Sequence, residues 1–189
     1  MCTVSRYTAP TAAHDPSGHV IRWRTWDDAH LETTTIRFEN EGYTVTGSVG
    51  SERVEYVLRL SPTWHVRQFI LFRDLDEPDL WLATDGHGRW GEMNGAHRTE
   101  LDGCYDLDLR CSPFPHTLAV RRLPLLDGHT AEVPVVTVDT ETLAVVAATY
   151  RYTRHDRAHW TVDRPDGAVD IEVDEHGLVV DEAGGFRRA

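Results

Sequence analysis

From Thr33 to Val173 the chain is cut by Gly, Pro and Asp into short runs rich in β-branched and aromatic residues, and no stretch sustains a helical period. A chain spaced in this way folds as β-structure. Strands are predicted over Thr33–Glu39, Tyr43–Gly50, Arg53–Ser61, His65–Arg73, Leu80–Thr84, Arg89–Met93, Cys104–Arg110, Thr117–Leu123, Glu132–Asp139, Leu143–Thr153, His159–Val162 and Ala168–Val173. Leu178–Asp181 fits the pattern less well. Glu41-Gly42, Asp85-Gly86, Asp127-Gly128, Asp166-Gly167 and His176-Gly177 mark turns where a positive φ is cheap. A helix over Trp26–Leu31 is left open, and residues 1–20 are expected to be poorly ordered. Val66–Arg73 and Val133–Val138 are apolar on both faces, as in strands covered on each side. About a dozen strands are too many for one flat sheet. The expected fold is all-β: a single domain over 1–189, an antiparallel meander curled into an open barrel or β-roll around an internal groove.

Gly103–Leu126, GCYDLDLRCSPFPHTLAVRRLPLL, carries the densest chemistry. In an extended strand Asp106, Asp108 and Arg110 share one face while Tyr105, Leu107 and Leu109 share the other. Ser112-Pro113-Phe114-Pro115 then interrupts pairing, because Pro has no N–H to give a central strand. If the chain resumes as a strand over Thr117–Leu123, Arg121 and Arg122 point to opposite sides, so at most one of them joins the carboxylate face.

The same segment resembles the signature of a bacterial glycolipid-binding family: a Cys-x-Asp-hydrophobic-Asp-Leu run, a Ser-Pro turn and a Leu-x-hydrophobic-Arg-Arg-Leu run. Here these read Cys104, Asp106, Leu107, Asp108 and Leu109, then Ser112-Pro113, then Leu118, Val120, Arg121, Arg122 and Leu123. Trp90-Gly91-Glu92, Tyr150-Arg151-Tyr152 with Arg154, and Val173-Asp174 with Gly177-Leu178-Val179 extend the likeness over most of the chain. Two places depart from it. The family's Thr-Asn-Thr after the turn is Phe114-Pro115-His116-Thr117 here, and its terminal Tyr-Pro-Gly is replaced by Glu182-Ala183-Gly184-Gly185. The resemblance implies a lipid-carrier-like fold and an amphiphilic ligand.

The formal net charge of −12 argues against nucleic acid and against an anionic membrane surface, both of which require clustered cations. All 19 basic residues are Arg, a bias expected of a GC-rich bacterial genome. No apolar run approaches the roughly 18 to 20 residues that span a bilayer. Met1–Val20 has no secretory pattern, so a cytoplasmic location is expected. Cys2, Cys104 and Cys111 are an odd number in a reducing compartment. On one strand Cys104 and Cys111 would lie roughly 23 Å apart, too far for a disulfide.

A curled sheet can hold an acyl chain at about 0.8 kcal/mol per buried methylene, or roughly 8 kcal/mol for ten carbons before ordering costs. The reading that follows is reversible binding of a glycolipid or related amphiphile without catalysis. Asp106, Asp108, Arg121 and Arg122 would orient the polar head, with Trp90, Tyr150 and Tyr152 as walls. Trp81 is a further aromatic in the same pattern. Three alternatives stand beside it. Asp106 and Asp108, about 7 Å apart along a strand, could serve a hydrolase of a glycosidic or ester bond, with Glu92 assisting. The same carboxylates could instead pair with Arg110, Arg121, Arg122 or Arg151 in a structural network. Exposed strand edges could recruit a protein. There are eleven His, but His155 with His159 falls in a strand-turn context and His87 with His97 flanks Trp90 as a chance pair, so no metal site is expected. Gly47-Ser-Val-Gly-Ser51 is not a nucleophile elbow, and without a phosphate loop or dinucleotide fingerprint no cofactor is expected.

Overall fold

The structure, a computed structural model, describes residues 7–50, 53–74 and 77–189. Its strands are β1 His19–Thr25, β2 Leu31–Glu39, β3 Gly42–Val49, β4 Val54–Leu60, β5 Val66–Phe72, β6 Leu80–Thr84, β7 Trp90–Glu92 and β8 Asp106–Leu109. After helix α1, His116–Arg122, come β9 Thr130–Val138, β10 Val145–Arg154, β11 His159–Arg164, β12 Gly167–Val173, β13 Val179–Glu182 and β14 Phe186–Arg188. They form one sheet ordered β7-β6-β5-β4-β3-β2-β1-β14-β13-β12-β11-β10-β9-β8, so each half is a run of neighbouring strands and the two halves meet where β1 pairs with β14. The sheet curls but does not close into a barrel.

One expectation is corrected. The segment Thr117–Leu123 is not a strand; it is most of α1. Pro115 stands at the helix N-cap with helical φ and ψ, Arg121 and Arg122 fill the last turn, and Leu123-Pro124 ends it. The helix follows from topology: β8 pairs with β9 in parallel, the single parallel pairing among the described residues, and a parallel pair requires a crossover. At Trp26–Leu31, where the sequence leaves a helix open, residues 26–28 turn and β2 begins at Leu31. A 3-10 turn spans Thr11–His14 and β1 begins at His19; residues 1–6 lie outside the described part.

The helix shows how far the sheet curls. His116 contacts Tyr152 on β10 and Glu182 on β13, while Arg121 stacks on Trp64 in the β4–β5 loop, 4.0 Å from its centroid. One short helix reaches both halves only if the sheet wraps around it. Phe114, Leu118, Ala119 and Val120 are all 1% exposed or less. Phe114 and Leu118 join the larger core with Trp23, Ile36, Leu58, Phe69 and Leu82. Ala119 and Val120 join the second core with Val133, Tyr150, Trp160 and Ile171. The apolar residues of the helix reach both cores while Arg121 and Arg122 in its last turn stay partly exposed, so the helix fills the inside of the curl.

The two sheet edges are drawn toward one another without pairing. Gly103 N donates to Gly88 O at 2.8 Å, and the Trp90 indole N–H donates to Cys104 O at 2.8 Å. Cys104 and Cys111 are buried and are not joined in a disulfide.

Candidate functional site

Asp106 and Asp108 do share a face, as strand alternation requires, but that face is closed from solvent: both residues are buried. Arg122 reaches back from the last turn of α1 and donates to Asp106 Oδ2. Burial raises the Asp106 carboxyl, and the Arg122 charge partly offsets it. Asp106 Oδ1 is buried without a partner. Tyr150 donates its hydroxyl to Asp108 Oδ2 at 2.7 Å. Burial, and then the Asp108 charge, raises the Tyr150 phenol. Tyr152 lies 3.0 Å from His116 Nδ1, and its phenol is raised first by burial and then by Asp108 and Asp106. On its other side His116 faces Glu182 at 3.8 Å, and Arg164 pairs with the same carboxylate at 3.3 Å.

Five of the seven sequence candidates therefore meet in one layer beneath α1: Asp106, Asp108, Arg122, Tyr150 and Tyr152. The other two do not. Arg121 and Arg122 diverge because successive helical residues point about 100° apart. Arg121 donates to the carbonyls of Thr8, at 3.0 Å, and His176, and burial lowers it to about 10. It clamps the N-terminal segment and the β12–β13 turn onto α1. Trp90 is 1% exposed in the larger core and fastens the start of β7 to the segment just before β8. Of the remaining named residues, Arg110 pairs with Asp166, Arg151 with Glu132 and Glu92 with Arg98. Trp81, opposite Ile70 on β5, is half-buried. His155 bonds Thr161 and His159 bonds Asp156, and among the described residues no group of three or more His, Cys, Asp or Glu is placed to hold a metal ion.

A second polar cluster, absent from the sequence reading, lies inside the other half. Glu32 Oε1 accepts hydroxyls from Tyr56 at 2.7 Å, Ser112 at 2.7 Å and Thr34 at 2.9 Å. The Tyr56 ring reaches this point by crossing Gly47, where any Cβ would sit 2.1 Å from the ring. Ser112 begins the Ser-Pro turn before α1, so the buried face of β2 and β4 holds one end of the interior segment while Tyr152 and Asp106 hold the rest. Alternating burial in β2 gives Glu32 away in retrospect: it shares parity with Thr34 and Ile36, not with the outward Thr33 and Thr35.

Open space lies on the outer face. A hollow of about 320 Å³ is lined by Thr33, Thr35, Thr46, Ser48, Val57 and Phe72, with Gly47, Glu55 and Tyr56. A second, of about 450 Å³, shares Ser48, Glu55 and Phe72 with it and continues past Arg53, Arg73 and Asp74. The two form one trough across β2 to β5. Register accounts for it: Thr33, Ser48, Glu55 and Phe72 stand side by side in one cross-strand row, and Thr35, Thr46, Val57 and Ile70 in the next. Small hydroxyl residues make the floor and Phe72 with Val57 a wall. Separate hollows of about 340 Å³ and about 260 Å³ lie over β11–β13 and beside Arg110 and Glu141. None of these four is lined by any of the seven sequence candidates.

A family model described as "Putative glycolipid-binding" matches residues 20–188. The chain belongs to that family. A crystal structure of a DUF1089 family protein from Pseudomonas aeruginosa is similar with a TM-score of 0.71 and 28% sequence identity, over 97% of this chain and 98% of that one. No curated protein matches the sequence. Among the described residues no helix is long and apolar enough to cross a membrane.

Proposed function

We propose that this chain binds a glycolipid-class amphiphile reversibly, without transforming it, in the trough across the outer face of β2–β5. The observation that carries the reading is the pairing of hydroxyls with an apolar wall in one open space. Thr33, Thr35, Thr46 and Ser48 offer hydroxyls that can both donate and accept, as a sugar requires, and Phe72 with Val57 offers the surface an acyl chain requires. Glu55 and Arg73 stand at the rim to fix ring hydroxyls. The buried layer of Asp106, Asp108, Arg122, Tyr150 and Tyr152 serves on this reading as the fastening that seats α1 and sets the curl. Its carboxylates are already engaged by Arg122 and Tyr150, which supports a binding role over a hydrolase using the two Asp as acid and base.

Native mass spectrometry of the purified protein, followed by organic extraction, tests the reading. The expected result is a stoichiometric adduct that yields a glycosylated amphiphile and is lost in a Thr46→Trp variant that keeps its melting temperature. An adduct undiminished in Thr46→Trp moves the ligand elsewhere. A protein that stays bare and gains no thermal stability with any glycolipid in a panel overturns the reading.

A further inference from the structure

One cross-strand row of the trough runs on past it. Thr35, Thr46, Val57 and Ile70 stand in register on β2 to β5, and Ile70 pairs in turn with Trp81 on β6. Leu58, Phe69 and Leu82, the chain neighbours of Val57, Ile70 and Trp81, are fully buried in the larger core. Alternation therefore turns Val57, Ile70 and Trp81 to the outer face, where each is half-buried.

The row changes character part-way along. On β2 and β3 it carries hydroxyls; on β4, β5 and β6 it carries two branched aliphatic side chains and an indole. Phe72 stands diagonal to Trp81 across β5 and β6, within reach of a large aromatic, and widens the apolar part. Polar groups border this strip. The next row is Arg37, Thr44, Arg59 and Gln68, and on the other side Phe72 is followed by Arg73, which pairs with Asp79 at 2.9 Å. The row ends at Trp81, because the described pairing of β6 with β7 begins at Leu82 with Glu92. Other tryptophans serve the fold: Trp23, Trp26, Trp90 and Trp160 donate their indole N–H to it, and Trp64 lies buried against Arg121. Trp81 instead faces outward at the end of an apolar strip.

We propose that the ligand lies across the strands, its sugar head over the hydroxyls of β2 and β3 and its alkyl tail along Val57, Ile70 and Trp81, so that Trp81 sets the length of tail the protein prefers. This rests on the trough reading and adds to it an orientation, a tail subsite and a chain length. From Val57 to Trp81 is two strand spacings, about 10 Å, the reach of an extended octyl chain. A butyl tail ends at Ile70, the methylenes from butyl to octyl cover the step from Ile70 to Trp81, and further methylenes pass into water. A fully enclosed methylene is worth about fourfold in affinity, and one on an open face, with its outer side still wet, about twofold.

Titrations followed by ¹H–¹⁵N spectra, with butyl, hexyl, octyl and decyl glucoside each below its micelle concentration, test this in the native chain and in Trp81→Ala. Affinity in the native chain should rise about 15-fold from butyl to octyl glucoside and level off at decyl, whereas in Trp81→Ala the rise to octyl should be under about threefold. A rise to octyl that is the same in both chains, or one that continues at the same slope to decyl, overturns the tail assignment while saturable shifts at Thr33 and Thr46 leave the trough reading standing. No saturable shift in the trough with any of the four removes the trough reading and this one with it. If Trp81→Ala does not fold, the Trp81 indole N–H signal of the native chain decides. Saturable movement with octyl glucoside and none with butyl supports the assignment; a signal that stays in place with octyl glucoside, or moves equally with butyl, overturns it.

Discussion

Removing Arg122 should destabilise the protein far more than removing its partner Asp106. Asp106 is 3% exposed at its side chain and Arg122 is 17% exposed, so the two ends of the pair differ in their access to water. In Arg122→Met the apolar stem is kept and the carboxylate is left buried with no cation, a situation that costs about 3 to 5 kcal/mol. In Asp106→Asn the guanidinium can swing toward solvent, and the loss is about 1 to 2 kcal/mol. The double variant should cost no more than about 3 kcal/mol, giving a coupling of about 2 kcal/mol in a double-mutant cycle. The pH dependence supplies a second signature. Burial already raises the Asp106 carboxyl and Arg122 holds it back; without Arg122 it rises further. A raised folded-state carboxyl gives stability at acid pH that is lost as pH climbs through it, so the Arg122→Met deficit should be small near pH 4 and full at pH 8. Urea unfolding of the four proteins at both pH values is the assay. Additive effects, with coupling under about 0.5 kcal/mol, would refute the view that this pair fastens α1 inside the curl.

Gly47→Ala should lower stability by about 1 to 3 kcal/mol, because a Cβ there meets the Tyr56 ring at 2.1 Å; circular dichroism melts measure it, and Tyr56→Leu in the same background should recover part of the loss. Tyr150→Phe leaves Asp108 Oδ2 without its donor and should cost about 1 to 3 kcal/mol in urea unfolding. Glu32 should also shape global stability: a folded carboxyl raised from 4.5 to about 7 contributes stability that is complete below pH 4.5 and lost as pH rises through 7. At 1.36 kcal/mol per pH unit this is about 3 kcal/mol, so the gap between Glu32→Gln and the native chain should shift by that amount in favour of the variant from pH 4 to pH 8.

Much of the fold is legible because β-strands announce themselves through alternation and turn chemistry. β2 to β6 and β9 to β12 lie where the pattern places them, within a residue or two at most ends. β1 and β14 escaped because their exposed faces carry arginines, and their pairing joins the two ends of the chain, information no local pattern holds. The helix escaped for a different reason. Thr117, Val120 and the flanking Pro suggest an interrupted strand, and tertiary burial of Phe114 and Leu118 overrides that propensity. Pro115 at the N-cap and two Arg in the last turn were the signals that could have found it. At the site, alternation correctly put Asp106 and Asp108 on one face but could not tell a polar face turned to water from one turned inward. Glu32 carried no motif at all; only the position of β2 over the interior makes it a buried acid. The trough is invisible in sequence because its residues come from four strands and meet through register.

The most direct test of the binding account is a ¹H–¹⁵N titration of the native chain with octyl glucoside below its micelle concentration. Saturable shifts confined to Thr33, Thr35, Thr46, Ser48, Val57 and Phe72, with Ile70 and Trp81 under the octyl tail, are the predicted result. Saturable shifts centred on Asp106, Asp108 and Tyr150, with the trough unmoved, would place the ligand beneath α1 and contradict the assignment, and no saturable shift anywhere would contradict binding of this class of amphiphile.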